Sequence, residues 1–315
     1  MARFSLADIH LAEAYIDPIF RNSPLFESET LGALLNCRVF LKVETLNPIR
    51  SFKGRGADLL IHRSKEPSII CASAGNFGQA MAWCCRKKGI DLTVYASIHA
   101  NKLKISRMRD LGAEVILRGE DFDGAKSIAR AAAAEQGVRF VEDSLDVDTV
   151  IGAGTIGLEL FDNDTCSVFD FVLVPLGNGA LANGIGMAAR GYNSTAQIVA
   201  IQSGNASAMI DSWRAGHIVV HDHIDTIADG IGVRIPVPEA VHELSELIHG
   251  GFLVKEETII DAMQLIRLHA GILVEPSAAV GLAALMENRE LFAGKSVVVV
   301  LTGGNLTEQQ VQQWF

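Results

Sequence analysis

The sequence predicts an α/β fold built on parallel sheets, and three observations carry that prediction. Short apolar runs of strand length alternate with amphipathic helical runs, as at 68–72, 77–88, 92–96, 102–111, 113–117, 122–136 and 138–141. Alternation of this kind pairs strands in parallel and lays the helices on the sheet faces. The helical runs also stop where helices prefer to stop. Lys87 and Lys88 precede Gly89, and Gly112 and Gly137 close the next two. Finally, 315 residues of which 49% are apolar and 20% charged can bury the cores of two α/β domains and exclude a disordered chain.

Taken in order, 68–72 is a buried strand, and the helix over 77–88 holds Cys84 and Cys85 as packing residues. The Ala-rich helix 122–136 and the strand 138–141 complete the first block of alternation. Residues 171–175 (FVLVP) form a second buried strand, followed by a glycine-rich turn over 177–186 and a helix reaching Arg190. A helix over 257–270 carries His269 as a structural residue, and 296–301 (SVVVVL) is the most hydrophobic strand. No internal repeat and no low-complexity linker is present, so any domain division is topological.

Composition narrows function. Lys and Arg number 27 against 37 Asp and Glu, a formal net charge of −10, which argues against a general nucleic-acid binder. The opening segment lacks the apolar run of a signal peptide and no stretch is long enough to span a membrane, so a cytoplasmic protein is expected. Cys37, Cys71, Cys84, Cys85 and Cys166 form no C-x-x-C pair and read as reduced, buried thiols. The nine histidines show no metal spacing.

Chemistry concentrates in four loops, each placed where ligands bind in such sheets, beyond the carboxyl ends of strands. In the first, Ser51-Phe52-Lys53-Gly54-Arg55-Gly56 puts one amine at the mouth of a helix beside small residues. A lysine taken alone is usually a solvated surface residue, but lysine is also the group that forms Schiff bases with carbonyl compounds such as pyridoxal phosphate. In the second, Ser73-Ala74-Gly75-Asn76 follows a strand and opens a helix. It serves equally as an N-capping turn and as a nest for a substrate carboxylate, with the Asn76 amide suited to a phenolic oxygen. In the third, Gly177-Asn178-Gly179-Ala180-Leu181 offers backbone N–H groups at a helix N-terminus to a phosphate. A dinucleotide fingerprint fails there, because Ala182 stands at the third glycine and no acidic ribose partner follows. In the fourth, Thr302 closes the strand 296–301, where a hydroxyl can hold a pyridine nitrogen without protonating it. That choice suits reactions that expel a leaving group soon after Cα–H loss.

These loops, together with Gly112-Ala113-Glu114, Gly154-Thr155-Ile156, Ala228-Asp229-Gly230 and Val274-Glu275-Pro276-Ser277, resemble the threonine/serine dehydratase family, whose relatives include serine racemase. The resemblance runs over nearly the whole chain. It implies a fold-type II (tryptophan synthase β-like) pyridoxal phosphate enzyme with two parallel-sheet α/β domains and the cofactor in their cleft. The large domain would comprise 1–67 and 146–315, and the small substrate-side domain 68–145. It further implies that Lys53 carries the cofactor and acts as base at Cα. Phe52, Asn76, the loop Gly177, Asn178, Gly179, Ala180 and Leu181, Gly230, Glu275 and Thr302 would surround the cofactor. Ser73, Ala74, Gly75, Asn76, Phe77 and Ser144 would face a small amino-acid substrate. A homodimer is the family expectation.

Departures from the family pattern bear on the reaction. Asn178 and Ala180 replace two glycines of the usual phosphate loop, Phe77 replaces a histidine, and Arg50 a glycine. Ala74 stands where racemase-like members have a serine acid/base, which disfavours two-base racemisation. The stretch Gln202-Ser203-Gly204-Asn205-Ala206 lacks the carboxylates that bind a divalent cation in those members, so no metal is expected. The chain stops at Phe315, and no regulatory domain is expected. Glu142, Asp143 and Asp146, near Ser144, read either as a solvated loop, the favoured reading, or as recognition of a cationic side chain. The expected activity is β-elimination from a β-hydroxy α-amino acid. Alternatives are β-replacement, as in cysteine synthase-like or diaminopropionate synthase-like enzymes, racemisation, a noncatalytic binding protein, and a nucleotide-dependent oxidoreductase.

Overall fold

The apolar runs pair into two sheets in a computed structural model that describes residues 2–162 and 169–315. Cys166 lies outside the described residues. Strands β1 (Leu25–Glu27), β2 (Arg38–Val43), β3 (Ser68–Ala72), β4 (Asp91–Ala96), β5 (Glu114–Leu117) and β6 (Arg139–Val141) come from the first half. Strands β7 (Phe171–Pro175), β8 (Gln197–Ser203), β9 (Gly250–Val254) and β10 (Ser296–Leu301) follow. The larger sheet has the order β1-β2-β10-β7-β8-β9 and the smaller β5-β4-β3-β6. Every pairing is parallel except β1 with β2. Predicted helices and strands recur within a residue or so of their expected ends, as in Asn76–Lys88, Phe122–Gln136 and Glu256–Ala270.

The uninterrupted hydrophobicity of β10 has a plain cause. Val297, Val299 and Leu301 pack on one side against Leu282 and Leu285, while Val298 and Val300 pack on the other with Ile156 and Ile185. A central strand covered on both faces has no solvent-facing position to make polar. Met81, Cys84 and Cys85 join Leu59 and Leu60 in a third core between the Asn76–Lys88 helix and the helix Lys53–Arg63. Cys37 and Cys71 are buried as well, and burial pushes the Cys37 thiol up to about 11 and Cys85 to about 12.

One cluster inside this apolar frame is charged. Arg55, fully buried, donates Nε and Nη2 to Glu44 at 2.9 and 2.8 Å, and Nη1 to Glu159 at 2.5 Å. Lys42 is equally buried; its Nζ bonds Glu159 and donates to the Ser23 carbonyl at 2.7 Å. Two cations thus face two carboxylates across three elements: the Lys53–Arg63 helix, the end of β2, and the helix Val147–Phe161. Burial alone would raise the Glu159 carboxyl, but Arg55 and Lys42 overcome it and hold it at about 2.

Two consequences are measurable. The Glu159 carboxyl sits below its ordinary 4.5, so its stabilisation is complete above that value and is lost as pH falls toward about 2. Urea unfolding followed across that window should show the decline, and a flat profile would refute it. Arg55→Leu leaves the buried Glu44 carboxylate without its cation and Glu159 with Lys42 alone, and is expected to cost about 3–5 kcal/mol, whereas a loss below about 1 kcal/mol would remove the cluster from this role.

Candidate active site

The carboxyl ends of both sheets converge on one cavity of about 220 Å³. Phe52 and Lys53 reach it from the segment after β2, Thr302 from the end of β10, and Gly177 through Leu181 from the turn after β7. From the smaller sheet, Ser73, Ala74, Gly75, Asn76 and Phe77 arrive after β3, and Asp143 after β6. Gly230 and Glu275 complete the wall among the residues expected there.

Lys53 is the first residue of its helix and is held at both levels of structure. Its N–H donates to Ser51 Oγ at 3.2 Å, while the Phe52 N–H donates to the Thr302 carbonyl at 3.1 Å and Ser51 bridges to Gly303. The segment is therefore stitched to the end of β10. Lys53 Nζ lies 4.7 Å from the centre of the Phe52 ring and donates to Asp143 Oδ2 at 2.6 Å.

The turn after β7 has the form of an anion cradle. Gly179 adopts φ of 102°, a left-handed conformation that favours glycine, and delivers the chain into the helix Ala180–Gly191. Ser144 lies apart from the other residues expected to face a substrate. It is fully buried and stands behind the cavity wall, outside its lining, with its hydroxyl accepting the Ala180 N–H at 3.1 Å. Its φ of 69° is fixed by a 2.9 Å bond from its N–H to Thr149 Oγ1 and by Arg3, which donates to its carbonyl at 2.8 Å. Ser144 buttresses the cradle from behind the lining residues.

On the opposite wall, Asn76 Nδ2 donates to Glu275 Oε1 at 2.6 Å, and Asn305 donates both to Asn76 Oδ1 at 2.9 Å and, through its N–H, to Glu275 Oε2 at 3.0 Å. The second N–H of the Asn76 amide is left for a ligand. Burial pushes the Glu275 carboxyl up, against the pull of Lys104. Ser73 Oγ accepts from Gly75 and Gly78 N–H at 3.2 and 2.9 Å, so it caps the Asn76 helix while lining the cavity.

Several lining residues were not singled out by sequence reasoning. Lys104 donates to Asp229 at 2.6 Å and Arg234 to Asp123 at 3.0 Å, both at the cavity. Neither pair is adjacent in sequence, and no motif announces it. The solvated-loop reading of 142–146 is also corrected. Glu142 is buried and paired with Lys126 and Arg130, Asp146 pairs with Arg139, and Asp143 faces Lys53. The strand-end rule applied to the other loops would have found Asp143, two residues past β6.

The sequence profile of the family described as pyridoxal-phosphate dependent enzyme matches residues 16–303. The chain belongs to that family. It is 35% identical over 310 residues to the catabolic L-threonine dehydratase TdcB of Staphylococcus aureus (strain USA300), covering 96% of this chain and 89% of the relative. Among solved structures, a threonine deaminase from T.th. superposes with a TM-score of 0.89 at 29% identity, over 96% of this chain and 99% of the other. Maize serine racemase superposes with a TM-score of 0.91 at 25% identity, over 98% and 96%. The protein is thus a fold-type II pyridoxal phosphate enzyme related to the threonine/serine dehydratases and serine racemases. Its chemistry falls among β-elimination, β-replacement and racemisation of small amino acids. Among the described residues no helix is long and apolar enough to cross a membrane.

The residues present fit that cofactor: an amine in the cavity, a left-handed glycine leading into a helix N-terminus, and a hydroxyl at a strand end. A Cβ on Gly303 would come within 2.4 Å of Glu275 Oε1 and 2.9 Å of Asn76 Nδ2. Gly303→Ala is therefore expected to displace both groups and weaken pyridoxal phosphate affinity by about tenfold or more. Fluorescence titration of the apoprotein, with circular dichroism to check folding, measures this; unchanged affinity would refute it.

Proposed function

We propose that the protein is an ammonia-lyase that eliminates the β-hydroxyl of a serine- or threonine-like α-amino acid, yielding a 2-oxo acid and ammonia. The carrying observation is that Lys53 faces a cavity in which Ala74, unable to move a proton, lines the turn after β3. One amine can remove and hold the Cα proton, but no serine stands at that turn position to return it on the other face. The similarity to a threonine dehydratase over most of the chain supports the same reading.

Bound pyridoxal phosphate supplies the electron sink that makes the Cα–H bond acidic. The chain's own residues do the rest. The first-turn N–H groups of the Asn76 helix would hold the substrate carboxylate. The cradle 177–181 would hold the cofactor phosphate, and Thr302 Oγ1 would hold the ring nitrogen without charging it. Lys53 Nζ would carry the cofactor, then take the Cα proton. We further propose that 68–145, which contains every strand of the smaller sheet, is a small substrate-side domain against 1–67 and 146–315.

Purified protein mixed with pyridoxal phosphate should show a visible absorption band that borohydride removes, and should release 2-oxo acid and ammonia from serine or threonine. Lys53→Ala should lose the band and about a thousandfold or more of the rate. Ala74→Ser should raise the yield of D-isomer relative to 2-oxo acid, read by chiral chromatography. Product formed only when a second nucleophile is added would replace this reading by β-replacement.

A further inference from the structure

Among the described residues four carboxylates line the cavity, and three have partners other than Lys53. Asp123 is paired with Arg234 at 3.0 Å, Asp229 with Lys104 at 2.6 Å, and Glu275 accepts from Asn76 and Asn305. Asp143 differs. Its cation is Lys53 Nζ at 2.6 Å, the very amine that a cofactor carbonyl consumes. Its second oxygen, Oδ1, is buried without a hydrogen-bond partner among the described residues, and the Asn178 amide donates to Oδ2 at 3.5 Å. Loading the cofactor would therefore draw that amine away from Asp143 and leave it the Asn178 amide as its side-chain donor.

A carboxylate can only accept hydrogen bonds, and one sheltered from water is costly until a donor reaches it. Asn178 reaches only Oδ2, and Lys104 and Arg234 are already committed to Asp229 and Asp123, so a donor for Oδ1 is left to the ligand. We propose that Asp143 selects the β-substituent of the substrate: it accepts a hydrogen bond from a β-ammonium or β-hydroxyl group and turns away phosphate, sulfate or acyl-capped substituents. This rests on the lyase reading above and sharpens it to unactivated, hydrogen-bond-donating leaving groups.

The test uses holoenzyme and the dissociation constants of 2,3-diaminopropionate, L-serine and O-phospho-L-serine, read from the early change in the visible band. Wild-type protein should bind in that order, with phosphoserine about tenfold or more weaker than serine. In Asp143→Asn the preference for diaminopropionate over serine should fall by about tenfold, and the penalty on phosphoserine should shrink. Each ratio compares ligands that depend equally on Lys53, so a general disturbance of the lysine cancels. Asp143→Glu should retain the order. Unchanged ratios in Asp143→Asn, or wild-type protein that binds phosphoserine as tightly as serine, would overturn the proposal and leave 2-oxo acid release untouched. The predicted order without 2-oxo acid release would uphold the subsite and overturn the lyase reading instead.

Discussion

The charged quartet of Arg55, Glu44, Lys42 and the half-buried Glu159 is the constraint on which the site depends. Arg55 lies two residues beyond Lys53 on the same helix, and its guanidinium is gripped by carboxylates from the end of β2 and from the helix Val147–Phe161. No member can leave water's reach unless all its partners are in place, since an unpaired buried charge is far more costly than a missing apolar contact. The helix that begins at Lys53 consequently has one depth and one rotation relative to the larger sheet. The Phe52 bond to Thr302 then secures the lysine against the end of β10.

From that anchor the site follows as the meeting of two sets of strand ends. β2, β7 and β10 deliver an amine, an anion cradle and a hydroxyl, while β3 and β6 deliver a helix N-terminus and a carboxylate. Parallel sheets gather such loops on one edge, and two sheets facing each other enclose them. The electrostatics are correspondingly balanced. The three lining cations among the described residues each face a carboxylate, Lys53 with Asp143, Lys104 with Asp229 and Arg234 with Asp123, while Glu275 is held by two asparagines.

Much of this was legible before any coordinates. Strand alternation, glycine stops and the unbroken apolar run of β10 report local preferences that packing left intact. Lys53, Asn76, Thr302 and the turn after β7 could be nominated because each sits in a short contiguous motif. The place of Ser144 behind the cavity lining could not be read, because proximity in sequence to an acidic stretch says nothing about which side of a wall a hydroxyl occupies. Arg55 belonged to a quoted motif, yet its burial could not be read from it, since arginine beside glycines is usually solvated.

The sequence by itself determined the fold class and the family and nominated the lysine, because periodicity, turn chemistry and contiguous motifs are encoded within a few residues. The tertiary structure alone decided how Asp143 meets Lys53 across 90 residues, how Lys104 meets Asp229 across 125, and how Glu159 holds Arg55 across 104. Such pairings depend on the relative placement of separate helices and sheets, and charged partners far apart in a chain leave no periodic trace by which to find one another.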